Sequence, residues 1–193
     1  MLLGVPIGML LHLVFDGAKA EPYLEDDAAA PLSVYGATKA EADRTLLAVY
    51  PDALVVRSGS FFGSWDERGV AAQAVRTVAG GRIFAAADDV TVSPTYLPDL
   101  VHAALDLFLD REAGLWHLAS AGAVTWADFA REVVRAAGLD ETRVRAVPGE
   151  EVGWAARRPR QSVLSSGRGA LMRQLDHALA RHADAGRRAG GRY

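Results

Sequence analysis

The chain has 193 residues, half of them apolar and 23% charged, which is enough to bury one core and ordinary for a soluble globular protein. A formal net charge of −3 argues against both a nucleic-acid binder and a membrane-surface protein. Cysteine is absent, which excludes disulfides and thiolate metal sites and is in keeping with a reducing cytoplasm.

The chain opens on an apolar run, Met1 to Phe15, with no basic residue before it and Asp16 directly after it. The run is shorter than the ~20 apolar residues that a spanning helix needs. Parallel strands buried on both faces read as continuous apolar stretches, so Leu10 to Phe15 is expected to be a strand closed by Asp16-Gly17. Ala18 to Pro31 reads as a loop carrying the acidic cluster Glu25-Asp26-Asp27, which is expected to be solvated. Ser33 or a neighbour can cap a helix that runs to about Tyr50, where Pro51 ends it. Ala53 to Val56 is a second apolar strand and leads into Arg57-Ser58-Gly59-Ser60-Phe61-Phe62-Gly63. In doubly wound sheets, loops at the carboxyl ends of strands are where ligands sit.

A helix from Val70 is ended by Gly80-Gly81. Arg82 to Ala86 and Val90 to Val92 read as short strands around an Asp88-Asp89 turn. Pro98 starts a helix over Leu100 to Leu109, with Asp99 as an acid favoured by the helix dipole, and Gly114 closes the unit. Leu115 to Ala119 is a strand, and Thr125 caps an amphipathic helix from Trp126 to Ala137 that stops at Gly138. Val144 to Val147 is one more strand. The tail from Arg157 is arginine-rich, and residues 183–193 are expected to be disordered. Those arginines read as solvated surface; the sharper alternative is that one of Arg157, Arg158 or Arg160 meets a phosphate. Trp116 and Trp126 read as core, and His102, His177 and His182 lack metal-ligand spacing. Alternating strands and helices predict an α/β fold with a mostly parallel sheet. No G-x-G-x-x-G turn follows a strand anywhere in the chain.

The chemistry concentrates in Ser33-Val34-Tyr35-Gly36-Ala37-Thr38-Lys39. Tyr35 and Lys39 are four residues apart, on one helix face and about one turn from each other. A phenol is a poor acid at neutral pH, and a neighbouring ammonium favours its ionised form. Such a tyrosine can give a proton to a carbonyl oxygen or take one from an alcohol. The spacing alone is also met by chance on any solvated helix face.

Its surroundings are more specific. Val14-Phe15-Asp16-Gly17, Pro22-Tyr23-x-Glu25-x-Asp27, Pro31 and Tyr35-Gly36-x-x-Lys39 resemble the dTDP-4-dehydrorhamnose reductase (RmlD-like) family of extended short-chain dehydrogenases/reductases. The resemblance continues through Arg57 to Gly63, Ser93-Pro94-Thr95-Tyr96-x-x-Asp99-Leu100, Trp116-His117-Leu118-Ala119, Trp126-x-x-Phe129-Ala130 and Arg158-Pro159-x-x-Ser162-x-Leu164. It implies a partial Rossmann-like parallel sheet, the carboxyl-terminal half of that fold, with a small α/β substrate-binding region, as one sugar-nucleotide-binding domain over residues 1–182. It implies cytoplasmic reduction of a 4-keto sugar nucleotide by NADPH or NADH, as in dTDP-rhamnose biosynthesis, without metal. Tyr35 would be the proton donor, and Lys39 would hold the cofactor and tune the tyrosine. Ser58 would join them at the cofactor, and His12, Asp16, Ser60 and Arg160 would meet the substrate. A partner polypeptide supplying the missing half, or a homodimer, is also implied.

Two departures shape the expectation. The family's Ser or Thr followed by Asp, just before Val14, is replaced here by Leu10, Leu11 and His12, so a substrate-binding hydroxyl must come from elsewhere, with Ser33 and Ser60 as candidates. The family's first half, with its glycine-rich turn, has no counterpart, as in a truncated chain, a split gene or a misplaced start. The chain alone is therefore expected to bind nicotinamide cofactor weakly. Two other functions stay open: a non-catalytic sugar-nucleotide-binding or regulatory module, and an NAD-dependent epimerase or dehydratase.

Overall fold

The computed structural model describes residues 7–11, 13–63 and 65–188. A central parallel sheet has the order β1-β2-β7, from β1 (Ile7–Leu11), β2 (Leu54–Ser58) and β7 (Gly114–His117). In between come α1 (Val34–Val49), β3 (Phe61–Phe62), α2 (Val70–Ala79), β4 (Phe84–Ala87), β5 (Thr91–Val92), β6 (Thr95–Tyr96) and α3 (Leu97–Leu109). The chain ends with β8 (Val124–Thr125), α4 (Trp126–Ala136), β9 (Val144–Val147), β10 (Gln161–Ser162) and α5 (Leu175–Arg188). Three small sheets form the second layer: β10-β5-β8, β3-β6 and β4-β9. All pairs are parallel except β5 with β8. This is the α/β architecture expected.

Strand β2 is buried at every residue, as the middle strand of a sheet covered on both faces should be. Leu54 and Val56 pack with Trp116, Leu118 and the inner face of α3, Leu100, Ala103, Ala104 and Leu107. A second core joins α2, α4 and α5 through Val75, Phe129, Val133, Ala178 and Leu179, with Phe62 in edge contact with Phe129.

Three expectations are corrected. The first strand is Ile7–Leu11, and the chain turns after it. Val14 and Phe15 are fully buried all the same, because they pack with Tyr23 and Leu164, and Phe15 stacks on Tyr23 at 4.1 Å. Apolar burial without strand pairing produced the same sequence signal. Second, residues 183–188 belong to α5, not to a disordered tail, and Ala183 is buried. Third, the acidic loop is built in: Glu25 accepts from the His117 N–H at 2.8 Å and the Gly167 N–H at 3.0 Å, and Asp27 pairs with Lys19 at 2.6 Å.

Helix α1 carries the reactive motif and is seated in an unusual way. Its buried residues are Gly36 and Asp43, with no large apolar side chain among them. Gly36 lets the helix approach the turn after β1 so closely that a Cβ there would overlap the Leu13 carbonyl oxygen and lie 2.9 Å from Pro31 Cβ. Asp43 reaches the sheet as an ion partner of Arg57 on β2, 2.7 Å away.

Candidate active site

Ser33 caps α1, its Oγ accepting the Gly36 N–H at 3.1 Å, and so fixes where the helix begins. Tyr35 then falls in the first turn, 39% exposed, at the mouth of a cavity of about 440 Å³. Ser33, Ser60, Asp66, Arg157 and Arg158 line the same cavity. One wall is shared with an apolar cleft of about 260 Å³ that holds Trp126 and Trp154. A polar cavity of about 530 Å³ lies on the other side of Trp154 and contains Arg157, Arg158 and Arg160. Arg158 lines all three, its guanidinium carbon 5.9 Å from the centre of the Trp154 ring.

Lys39 lies on the expected face, with Nζ 5.5 Å from the centre of the Tyr35 ring. The ammonium stands over the π face of the ring. Partial burial pushes the Tyr35 phenol above its usual range, and the Arg158 guanidinium pulls the other way. Two cations thus flank the phenol, Lys39 on its own helix and Arg158 in the lining of the same cavity. Lys39 makes no ion pair among the described residues, so its ammonium is free for a ligand such as the ribose hydroxyls of a nucleotide.

The other predicted residues scatter. Ser60 shares the cavity with Tyr35, and Ser33, two residues before Tyr35 at the helix N-cap, does too. Ser58 ends β2, fully buried, with a hydroxyl that has no partner among the described residues. Asp16 is engaged locally: the Ala18 N–H at 3.0 Å and the Tyr23 hydroxyl at 2.9 Å both donate to Oδ1, and they hold its carboxyl below the usual range. It does not line the Tyr35 cavity. Arg160 opens on the polar cavity, and its carbonyl accepts from the Thr91 N–H. His12 lies outside the described residues. Among the described residues, no cluster of carboxylates and histidines could hold a metal ion, and no helix is long and apolar enough to cross a membrane.

Two residues escaped the sequence reading of the site, Asp66 and Trp154, because only the fold brings them to the cavity wall. Of the three arginines offered to a phosphate, Arg157 and Arg158 line the Tyr35 cavity and Arg160 does not.

Behind the cavity, the Asp43–Arg57 pair is almost wholly enclosed, with side-chain exposures of 4% and 7%. Removal from water raises the Asp43 carboxyl above its usual range, against the pull of Arg57. His117, at the end of β7, directs Nδ1 at the carbonyls of Tyr23 (3.1 Å) and Ser165 (3.0 Å). Both partners are acceptors, so Nδ1 carries a proton, and burial pushes the ring's pKa below the ordinary histidine value.

The likeness to known proteins agrees with this arrangement. The RmlD substrate binding domain family model matches residues 11–180. A dTDP-4-dehydrorhamnose reductase from Mycolicibacterium smegmatis is 40% identical over 168 residues, covering 83% of this chain and 51% of its own length. A dTDP-4-keto-6-deoxy-D-glucose reductase from Streptomyces niveus is 33% identical over 160 residues, covering 80% of this chain and 55% of its own length. The crystal structure of a dTDP-4-dehydrorhamnose reductase from Clostridium acetobutylicum superimposes with a TM-score of 0.86 at 27% identity, covering 93% of this chain and 65% of that one. The Bacillus anthracis reductase solved with NADP shares the fold, with a TM-score of 0.87 at 24% identity over 93% of this chain and 65% of that one. The chain thus spans about half the length of these sequence relatives. With a match that runs from the end of β1 into α5 and takes in the whole Tyr35 cavity, the chain belongs to the RmlD substrate-binding family.

Proposed function

We propose that this chain is the substrate-binding half of an NAD(P)H-dependent reductase of dTDP-linked 4-keto-6-deoxy sugars. One observation carries the reading: a tyrosine hydroxyl, two serine hydroxyls and an arginine converge on one cavity in a chain of this family.

The nucleotide sugar enters with its phosphates toward Arg157, Arg158 and Arg160 and its base in the apolar cleft beside Trp154. Ser33 and Ser60 take the place of the family hydroxyl that Leu10 and Leu11 cannot provide. They orient the keto oxygen toward Tyr35 by hydrogen bonding. Tyr35 gives its phenolic proton to that oxygen as the carbonyl carbon is reduced, which yields the sugar hydroxyl. The reduced nicotinamide, when bound, supplies the hydride. Lys39, with no carboxylate partner, holds the cofactor's ribose, and the unpartnered Ser58 hydroxyl at the carboxyl end of β2 faces the same end of the sheet.

Among the described residues β1 pairs on one side only, with β2. A further parallel strand, from preceding chain or from a partner polypeptide, would extend the sheet there and complete the cofactor site. A binding module without turnover is the second reading, favoured by Leu10 and Leu11 standing where the family carries its substrate-binding hydroxyl.

The deciding experiment supplies a dTDP-4-keto-6-deoxy sugar and NADPH and follows loss of the reduced-cofactor absorbance. Turnover abolished by Tyr35→Phe, with the fold unchanged by circular dichroism, supports the proton donor; unchanged turnover removes it. Sugar nucleotide binding by calorimetry without any turnover selects the module.

A further inference from the structure

Arg158 occupies a particular place among the cavities. It borders the cavity of the proposed proton donor and also the cavity in which two other arginines gather. None of Arg157, Arg158 and Arg160 makes an ion pair among the described residues. Two acids, Asp89 and Glu150, line the polar cavity with them, and Asp89 is occupied by the Gly149 N–H at 2.7 Å. The guanidinium stacks near Trp154, which fixes it between the two cavities. Tyr35 faces Lys39 from its own helix, and Arg157, Arg158 and Asp66 from across the cavity.

We propose that Arg158 couples anion binding to the protonation of Tyr35: a phosphate-bearing ligand seated among Arg157, Arg158 and Arg160 takes up the Arg158 charge and leaves the phenol holding its proton. Resting on the reductase reading, this deepens it by naming the residue through which the ligand's phosphates set the acidity of the proton donor. In the free protein the guanidinium favours the phenolate. A bound diphosphate removes that influence and adds its own negative charge nearby, and both effects favour the neutral phenol. By linkage the coupling is reciprocal, so ionising Tyr35 weakens phosphate binding by the same factor. Arginine suits this role because it stays charged throughout the range in which a phenol titrates.

The test needs no turnover. The chain is labelled with ¹³C at tyrosine Cζ and titrated with alkali, with and without saturating pyrophosphate at matched ionic strength, the Tyr35 signal being assigned with Tyr35→Phe. Pyrophosphate is expected to raise the Tyr35 midpoint by roughly half a unit to one unit, a three- to tenfold change in its ionisation constant. Arg158→Gln is expected to start from the raised midpoint and to ignore pyrophosphate. Arg160→Gln weakens pyrophosphate binding while leaving the midpoint of the free protein in place. The coupling is overturned if pyrophosphate binds by calorimetry and Tyr35 does not move, if Arg158→Gln responds as the parent does, or if millimolar pyrophosphate does not bind. A Tyr35→Phe enzyme that still turns over would remove the reductase mechanism and leave the coupling standing.

Discussion

Asp43 and Arg57 form a 2.7 Å ion pair in which neither side chain exposes more than 7% of its surface. Asp43 is one of the two buried residues of α1, so this contact seats the helix that carries Tyr35 and Lys39. The pair is incompletely satisfied: Asp43 Oδ1 and one terminal nitrogen of Arg57 are buried without partners. A buried pair of this kind gives little net stability, but breaking it strands a charge. Asp43→Ala is therefore expected to destabilise the chain by about 3–5 kcal/mol in urea unfolding. The double replacement Asp43→Leu with Arg57→Leu, which strands nothing, is expected to be near neutral or stabilising by up to about 4 kcal/mol. A double variant as unstable as the single one would show that the pair itself, not the stranded guanidinium, is what the fold needs.

Stability should fall on mild acidification. Burial pushes His117 below the ordinary histidine value, and Arg57 nearby opposes protonation further, against the pull of Glu25. Burial alone pushes His182 down. The folded state therefore refuses protons that the unfolded chain accepts below the ordinary histidine value of about 6.5. The loss starts there as pH falls and continues until the folded-state histidines themselves protonate. It approaches about 1.4 kcal/mol per pH unit for each histidine. His117→Asn, which keeps a side-chain N–H for the Tyr23 and Ser165 carbonyls, should remove one histidine's share of the slope between pH 6.5 and 5. Urea midpoints that stay flat across that interval would show that His117 is not held neutral.

Much of the scaffold could be read from local chemistry. The Ser33 cap, the Thr125 cap and Pro98 in the first turn of α3 fixed three helix starts, because each acts within one turn of chain. Helix α5 was missed for a physical reason. Leu175, Ala178, Leu179 and Ala183 do recur at helical spacing, but His182 completes the inner face, in edge contact with Phe62, and arginines crowd the rest. A buried histidine reads as polar, so the apolar stripe looked broken. The site was half legible. Tyr35, Lys39 and Ser33 lie within seven residues, and helix periodicity places them. Arg158 and Ser60 reach the same cavity only through the pairing of β3 with β6 and of β10 with β5, which no local pattern encodes. Asp16 was expected at the substrate by resemblance, and the Glu25 loop was expected to be solvated. Here both acids tie loops down through Tyr23, His117 and Gly167.

The cofactor affinity of the chain by itself is open to direct measurement. Dinucleotides are gripped chiefly by their diphosphate, on a glycine-rich turn between a strand and the amino end of a helix. Among the described residues the helix starts of α1 to α4 are capped by Ser33, Gly69, Tyr96 and Thr125, and none follows a G-x-G-x-x-G turn. In the proposed reading Tyr35, Lys39 and Ser58 would hold only the nicotinamide-ribose end, through a few hydrogen bonds each worth about 1 kcal/mol. That falls well short of the roughly 8 kcal/mol of a micromolar complex. NADPH titrated against the purified chain and followed by fluorescence should therefore show a Kd far above 1 μM. Adding a polypeptide that carries a glycine-rich nucleotide-binding half should tighten binding if the open side of β1 accepts its strand. A submicromolar Kd for the chain alone would mean that its own residues grip the diphosphate, with Arg157, Arg158 and Arg160 the first to replace by glutamine.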